Sequence, residues 1–403
     1  MQKKIIALAI AGLASSAAFA QTNVTIYGVA DVFVATAKSD VSTAGLKDKE
    51  FTGVANGGLS GSRLGFRATE DLGGGLSAGM LMEYGTVQMD GGSVSGGAST
   101  SGLGNMRQSY VHLTSTSMGS FQGGRIYTPG TNAAGKFDPE GASAFGPVSR
   151  ITTGMGLSID GAGGNMARLN NSLAWLSPNW GGFTAQVQYS FGESALTQSA
   201  TTGAFTAAAG KAQVGSTDDQ RMWGAGVDYT NGPLAVGAVY HRFNDLGNTL
   251  TGVKERDLTE WFVGGSYDFG MAKLTGSYQD FDADNTGATI STASVGAGKN
   301  NLNGDIWSVG VIVPVMKAGS VRLSYASLDR SVKTAGVKVN QDADGWGISY
   351  QHAMSKRTTA YVGYTTIDND GGATGGTLGV GLVGGPTAGG DSKGYGAGLR
   401  HTF

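Results

Sequence analysis

Four arginines stand out by their positions. Arg63 and Arg67 share one face of an alternating segment. Arg107 opens another segment with the parity of Ser109, and Arg168 precedes a third. Between Tyr127 and Arg168 lies a long stretch, 129–167, with no strand pattern and few large apolar residues. It carries Lys136, Asp138, Glu140, Arg150 and Asp160. Fixed charges of both signs, with no nucleophile set beside a base, act through their field and not through bond making. An insertion of that length is uncommon in a compact domain and is usually functional.

Other motifs in the chain lack the context their chemistry needs. Gly130 to Lys136 follows the phosphate-loop pattern until Phe137 takes the place of Ser or Thr, and no helix pattern follows. Gly379, Gly381 and Gly384 have dinucleotide-fingerprint spacing but sit in a long small-residue loop. Asp280, Asp282 and Asp284 start like a calcium loop, yet the sixth-position Gly and the twelfth-position Glu are missing. His112, His241, His352 and His401 are scattered, in no ligand or triad spacing. The residues therefore point to no catalysis, no cofactor and no metal.

These charges need a scaffold that can carry them, and the composition describes one. The 403 residues include 70 glycines and no cysteine, and only 14% are charged. The glycines alternate with Val, Leu, Tyr, Phe and Trp, which disordered segments lack. A net charge of −2 gives no electrostatic case for nucleic acid. Residues 1–20 read as a cleaved signal peptide: Lys3 and Lys4, an apolar run from Ile5 to Leu13, then Ala18-Phe19-Ala20 as the cleavage site. The mature region, 21–403, then holds 26 basic against 30 acidic residues. No later stretch has about 18 uninterrupted apolar residues, so no spanning helix is expected.

From Val24 onward the apolar residues recur at every second position, as on a half-buried strand. Val24, Ile26, Gly28 and Ala30 oppose Thr25, Tyr27 and Asp31; Phe183, Ala185, Val187 and Tyr189 oppose Thr184, Gln186 and Gln188. Sixteen such segments are expected, centred near Tyr27, Phe66, Met80, Tyr110, Gly123, Leu173, Val187, Val227, Val236, Gly265, Thr275, Val311, Leu323, Ile348, Val362 and Leu399. Each runs to about ten residues, the length a tilted strand needs to cross a bilayer. Short turns such as Asp71–Gly75 and Asn231–Pro233 alternate with long connections, roughly 38–61, 88–104, 129–167, 193–221, 244–258, 282–303, 329–343 and 369–392. Aromatics gather near strand ends, at Tyr189, Phe191, Tyr267, Phe269, Tyr278, Tyr364 and Phe403. The whole pattern is that of an all-β, antiparallel transmembrane barrel with aromatic girdles.

Several stretches resemble those of Gram-negative general diffusion porins of the betaproteobacterial type. They are Val24-Thr-Ile-Tyr-Gly-Val-Ala-Asp31, Ser62 through Gly73, Gly124-Arg125 before the insertion, Asn171-Ser172 and Ser177-Pro178 after it, and the terminal Gly398-Leu-Arg-His-Thr-Phe403. The resemblance implies a sixteen-stranded barrel in the outer membrane, usually a homotrimer, with the third extracellular loop, 129–167, folded into the lumen as the constriction. It implies a channel for small hydrophilic solutes and ions. It places Arg63, Arg107 and Arg168, with Arg67 beside them, on the basic wall of that constriction, and Asp138 and Glu140 on the loop facing them. Where the family's loop carries a Pro-Glu-Phe-Gly-Gly-type stretch, this chain has Asp138-Pro139-Glu140-Gly141-Ala142 and then Phe145-Gly146. Phe403 ends the strand that must meet the first strand to close the barrel. Enzymes and adhesins on barrels compete with this reading. The first would need a nucleophile–histidine or carboxylate–histidine motif, and the second would need aromatic anchors in the loops.

Overall fold

A computed structural model describes residues 23–41, 47–85, 106–151, 167–191, 196–198, 205–207, 221–244, 256–285, 301–334, 337–371 and 389–403. The signal peptide, Asp160, the Gly379–Gly384 motif and the middles of most long connections lie outside these residues.

The strands are β1 (Asn23–Ser39), β2 (Lys49–Asn56), β3 (Arg63–Gly73), β4 (Leu76–Tyr84), β5 (Met106–Ser115), β6 (Gly119–Tyr127), β7 (Arg168–Leu176) and β8 (Phe183–Ser190). A small separate ladder, β9 (Leu196–Gln198) with β10 (Phe205–Ala207), follows. Then come β11 (Met222–Asn231), β12 (Leu234–Phe243), β13 (Arg256–Asp268), β14 (Lys273–Asn285), β15 (Asn301–Val315), β16 (Gly319–Thr334), β17 (Val337–Asn340), β18 (Ala343–Ala353), β19 (Thr358–Asn369) and β20 (Ser392–Thr402). Every pairing is antiparallel between sequential neighbours, and β20 pairs with β1, which closes the ring. β2 and β3 pair in turn with the two halves of β1, so they are one strand interrupted at residues 57–62. β17 and β18 likewise share β16. The result is a closed sixteen-stranded barrel, and each of the sixteen expected centres falls in a different strand of it. The expected connections 38–61 and 329–343 are shorter than the sequence suggested, because β2 and β17 extend the wall into them.

Alternation gives the barrel two unlike faces. Val34, Val111, Leu173 and Val309 are each at least half exposed. A continuous apolar band of this kind belongs against lipid. Trp–Tyr pairs cross neighbouring strands on that face: Trp223–Tyr240, Trp261–Tyr278, Trp307–Tyr325 and Trp346–Tyr364, with centroids 5.1–5.2 Å apart. The opposite face carries Ser, Gln, Gly and the charged residues.

The stretch after β6 is not structureless. Pro129–Phe137 is a helix, capped by Thr128, whose hydroxyl accepts from the Thr131 amide, with Pro at the first turn where a missing N–H costs nothing. A short helix, Pro147–Ile151, follows. Gly130, Thr131, Asn132 and Gly135 are weak helix formers, so local propensity gives no helix signal. Packing decides instead: Ala133, Ala134 and Phe137 are buried, and Phe137 stacks on Phe262 at 6.3 Å. This helix places Gly130–Lys136 inside its own turns, so the segment cannot wrap a phosphate as a loop would. Further on, Phe145 is fully buried between Phe33 and Tyr361, at 6.1 and 6.0 Å. Burying each phenylalanine contributes on the order of 2–3 kcal/mol.

Closure depends on the chain end. The Gly28 amide donates to Phe403 O at 3.0 Å, and the Phe403 amide donates to Gly28 O at 3.1 Å. The Phe403 ring lies over Gly28, where any β-carbon would collide with it. A barrel without this pairing exposes strand edges to lipid, where unsatisfied backbone groups cost several kcal/mol each. Deleting Phe403 should therefore lower the yield of folded barrel in the outer membrane. Quantifying heat-modifiable barrel in membrane fractions checks this; an unchanged yield would remove the role given to Phe403.

Candidate functional site

The polar face gathers three arginines at one place. They arrive from β3, β5 and β7, and two of them need an irregularity in the ladder. On β5, Ser109 shares the outward face with Val111, so strict alternation from Ser109 would send Arg107 to lipid. Glu83 pairs with Gln108 while Tyr84 pairs with Met106, which leaves Arg107 as the extra residue of a β-bulge. The parity expected from Ser109 is thus corrected: the bulge turns Arg107 toward Glu83, a common use of bulges at functional sites. A second shift lies between Gly124 and Ile126 of β6, opposite Asn170 and Asn171, and Asn171 takes the left-handed φ of 48° that asparagine tolerates. Arg168 lies just before it in sequence.

Glu83, on β4, is the hub. Its Oε1 lies 2.6 Å from Arg107 Nε and 3.6 Å from Arg63 Nη1, and its Oε2 accepts from the Tyr27 hydroxyl at 3.1 Å. Tyr127 joins the other two guanidiniums: its hydroxyl accepts from Arg107 Nη2 at 2.7 Å and from Arg168 Nη2 at 3.2 Å. The Arg168 guanidinium also covers the Tyr127 ring at 4.8 Å, a cation–π contact. Arg67 is exposed and stands 5.8 Å over the Tyr27 ring, beside the cluster but outside its bonded network. One carboxylate cannot neutralise three guanidiniums, so the cluster keeps an excess of positive charge that points toward solvent. Alternation places Glu83 on the polar face, but nothing in its spacing marks it as the arginines' partner. Tyr27 and Tyr127 have no sequence signal beyond their parity.

Asp138 and Glu140 do not join this cluster. Asp138 Oδ1 and Oδ2 accept from the Glu140 and Ala142 amides at 2.9 and 2.8 Å, which closes the turn after the helix. Glu140 is almost fully buried, and both of its oxygens accept from Ser349 on β18 at 2.9 Å. Arg322 Nη1 donates to the intervening Pro139 carbonyl at 2.8 Å. The physical reason is geometric. The turn needs acceptors for its own amides, and the wall offers hydroxyl donors beneath it. Arg150 falls in the short helix that follows.

Burial pushes the Glu140 carboxyl up to about 7, against donation from Ser349 and Ser143 and the nearby Arg322 charge, which hold it down. A raised folded-state value means that the protonated form fits better than the anion. The stabilisation is complete below the ordinary carboxyl range and is lost as pH rises through about 7. Full ionisation at this depth costs on the order of 3 kcal/mol. Glu140→Gln should therefore flatten the decline in stability between about pH 5 and pH 8. Thermal midpoints of the folded barrel in detergent check this, and a variant that keeps the wild-type slope would count against it.

Among the described residues, no group of three His, Cys, Asp or Glu side chains is placed to hold a metal ion. A family model for Gram-negative porins matches residues 7–372. Outer membrane porin protein 32 of Delftia acidovorans is 33% identical over 413 aligned positions that cover all of both chains. An outer membrane porin protein of Bordetella pertussis is 29% identical, over 90% of this chain and 93% of that one. The solved anion-selective porin from Comamonas acidovorans superposes with a TM-score of 0.70 at 27% identity, covering 95% of this chain and 100% of that chain. With a closed sixteen-stranded barrel and a charged polar face already in view, these matches place the chain in the Gram-negative porin family, the outer-membrane barrels that form water-filled diffusion channels.

Proposed function

We propose that this porin passes ions and small hydrophilic solutes with a mild preference for anions, and that Arg63, Arg107 and Arg168 line its narrowest point. The gathering of three guanidiniums around one carboxylate and one phenol, Arg63 and Arg107 on Glu83 and Arg107 and Arg168 on Tyr127, carries the reading. The segment Pro129–Ile151 is the third extracellular loop. It packs against the polar face of the wall, which supports its lying inside the barrel and narrowing it. Arg67 contributes to the same field from the rim of the cluster. Asp138 and Glu140 act chiefly as anchors under the loop, so they oppose the arginines only weakly and the net field favours anions. No reaction is involved: a pore selects by width and by the sign of its fixed charges. The solved Comamonas relative is described as anion-selective, which agrees in sign.

We also assign the mature chain to a homotrimer in the outer membrane, after removal of residues 1–20. A native mass measurement in mild detergent should give three copies; monomer alone would remove that assignment. The pore reading is tested by Arg63→Ser, Arg107→Ser and Arg168→Ser combined. At about 0.15 M salt the screening length is about 8 Å, so the wall charges are felt, and at 1 M it falls to about 3 Å. The triple variant should shift the low-salt reversal potential toward cations and raise conductance, with little difference at high salt. Glu83→Gln should shift it the other way. A folded triple variant with wild-type reversal potential and conductance would show that these arginines do not line the constriction.

A further inference from the structure

The wall carries a second segment folded onto its inner face. Residues 57–62 interrupt the strand formed by β2 and β3. They turn inward, and Leu59 is buried in a cluster with Phe33, Ala144, Phe145 and Tyr361. One residue, Asp31 of β1, holds both ends of this turn and its middle. Its backbone carbonyl accepts from the Gly57 amide at 2.9 Å and from the Ser62 hydroxyl at 3.1 Å. Its own amide donates to that hydroxyl at 2.9 Å. Its side chain is fully buried. Oδ1 accepts from the Gly58 amide at 3.1 Å and from the Tyr361 hydroxyl. Oδ2 accepts from the Leu59 and Ser60 amides, both at 2.9 Å. A buried carboxylate is costly unless donors surround it, and here the turn supplies most of them.

The carbonyls of the turn reach both parts of the candidate constriction. In a trans peptide unit the N–H and C=O point opposite ways. The Leu59 amide aims at Asp31, so the Gly58 carbonyl faces away from it and accepts from the Ala144 amide of the loop at 2.8 Å. Gly61 O accepts from Arg63 Nε at 3.1 Å. A β-carbon at Gly61 would stand 3.6 Å from Arg107 Nη1, so the turn borders that arginine too. Glu83 ties Arg63 by charge, whereas the turn ties it through a neutral acceptor that leaves its charge intact.

We propose that residues 57–62 are a brace between the constriction loop and the arginine wall, and that Asp31 is its positioning residue. Asp31 is sealed from solvent and meets no solute. It acts through the turn, which fixes where Arg63 stands and where the loop lies at Ala144. Asp31→Asn puts an NH2 group where one oxygen stood. Each oxygen receives two donors, so a donor then faces donors and the turn lifts. The sign of the effect separates positioning from simple charge. Removing a negative charge by itself makes a pore more attractive to anions, whereas displacing Arg63 makes it less so.

The consequence for transport rests on Arg63 lining the pore, so the test reads turn and pore separately. Hydrogen–deuterium exchange of the folded barrel reads the amides of residues 57–60, and low-salt reversal potentials read the pore. Asp31→Asn should speed exchange there by about tenfold or more, as expected when hydrogen bonds to a charged group are lost. It should also shift the potential toward cations, the direction expected of Arg63→Ser. In an Arg63→Ser background that shift should shrink, because the two residues act as a unit. A shift toward anions, wild-type exchange rates, or fully additive shifts overturn the proposal. So does a wild-type potential in Asp31→Asn when Arg63→Ser alone moves it. If neither variant moves the potential, the constriction reading fails, and faster exchange still supports the brace. Where Asp31→Asn gives no folded barrel, Ser62→Ala decides by the same readouts, since it removes only the hydroxyl that staples one end of the turn.

Discussion

At its points of closest approach the loop lies on glycines of the wall, where there is no side chain to hold it off. Phe145 lies against Gly347 and Gly363, Pro139 against Gly310, and Phe137 against Gly264 and Gly237. A β-carbon at most of these positions would overlap the loop. The ladder tolerates so many glycines because a closed barrel fixes every strand through both neighbours, so the usual entropic cost of glycine in a strand is offset by cooperative pairing. The glycine-rich composition, which in isolation suggests low complexity, is therefore in part the imprint of a segment docked on the polar face.

The arginine cluster follows a different logic. Like charges repel strongly away from bulk water, and three guanidiniums from nearby strands would separate if nothing tied them. Glu83 and Tyr127 do the tying. The carboxylate binds Arg107 and Arg63, the phenol binds Arg107 and Arg168, and Tyr27 holds the far oxygen of Glu83. Because a phenol accepts hydrogen bonds without adding negative charge, the arginines are positioned while their charge survives. Two glutamates in the same places would fix the geometry as well and cancel the field.

The strands were legible because alternation is a strong period-two signal, and all sixteen centres fell on separate strands of the barrel. The features that depend on partners distant in sequence were not. Pro129–Phe137 reads as irregular because its helix is selected by Phe262 and the glycines of β12 and β13, over a hundred positions away. Arg107 reaches the polar face through a bulge, which shifts parity by one and leaves no mark in the sequence around it. Glu140 reads as a free pore charge until Ser349 is known to lie beneath it. A strand fixes the face on which a wall arginine stands, whereas a turn decides where a loop carboxylate goes.

Stability and selectivity consequently sit in different parts of the molecule. The barrel is held by a continuous backbone ladder and an apolar outer face, neither of which involves the charges on the inner face. The loop is held by His241 at the start of its helix, by Glu140 in the turn that follows, and by the buried rings of Phe137 and Phe145 on either side of that turn. A proton on Glu140 removes the cost of burying its charge and tightens that anchor. Local elements of low stability are where functional motion is drawn from. A segment fastened in this way can shift on a rigid frame without threatening the frame, because no strand pairing is broken when either end lets go.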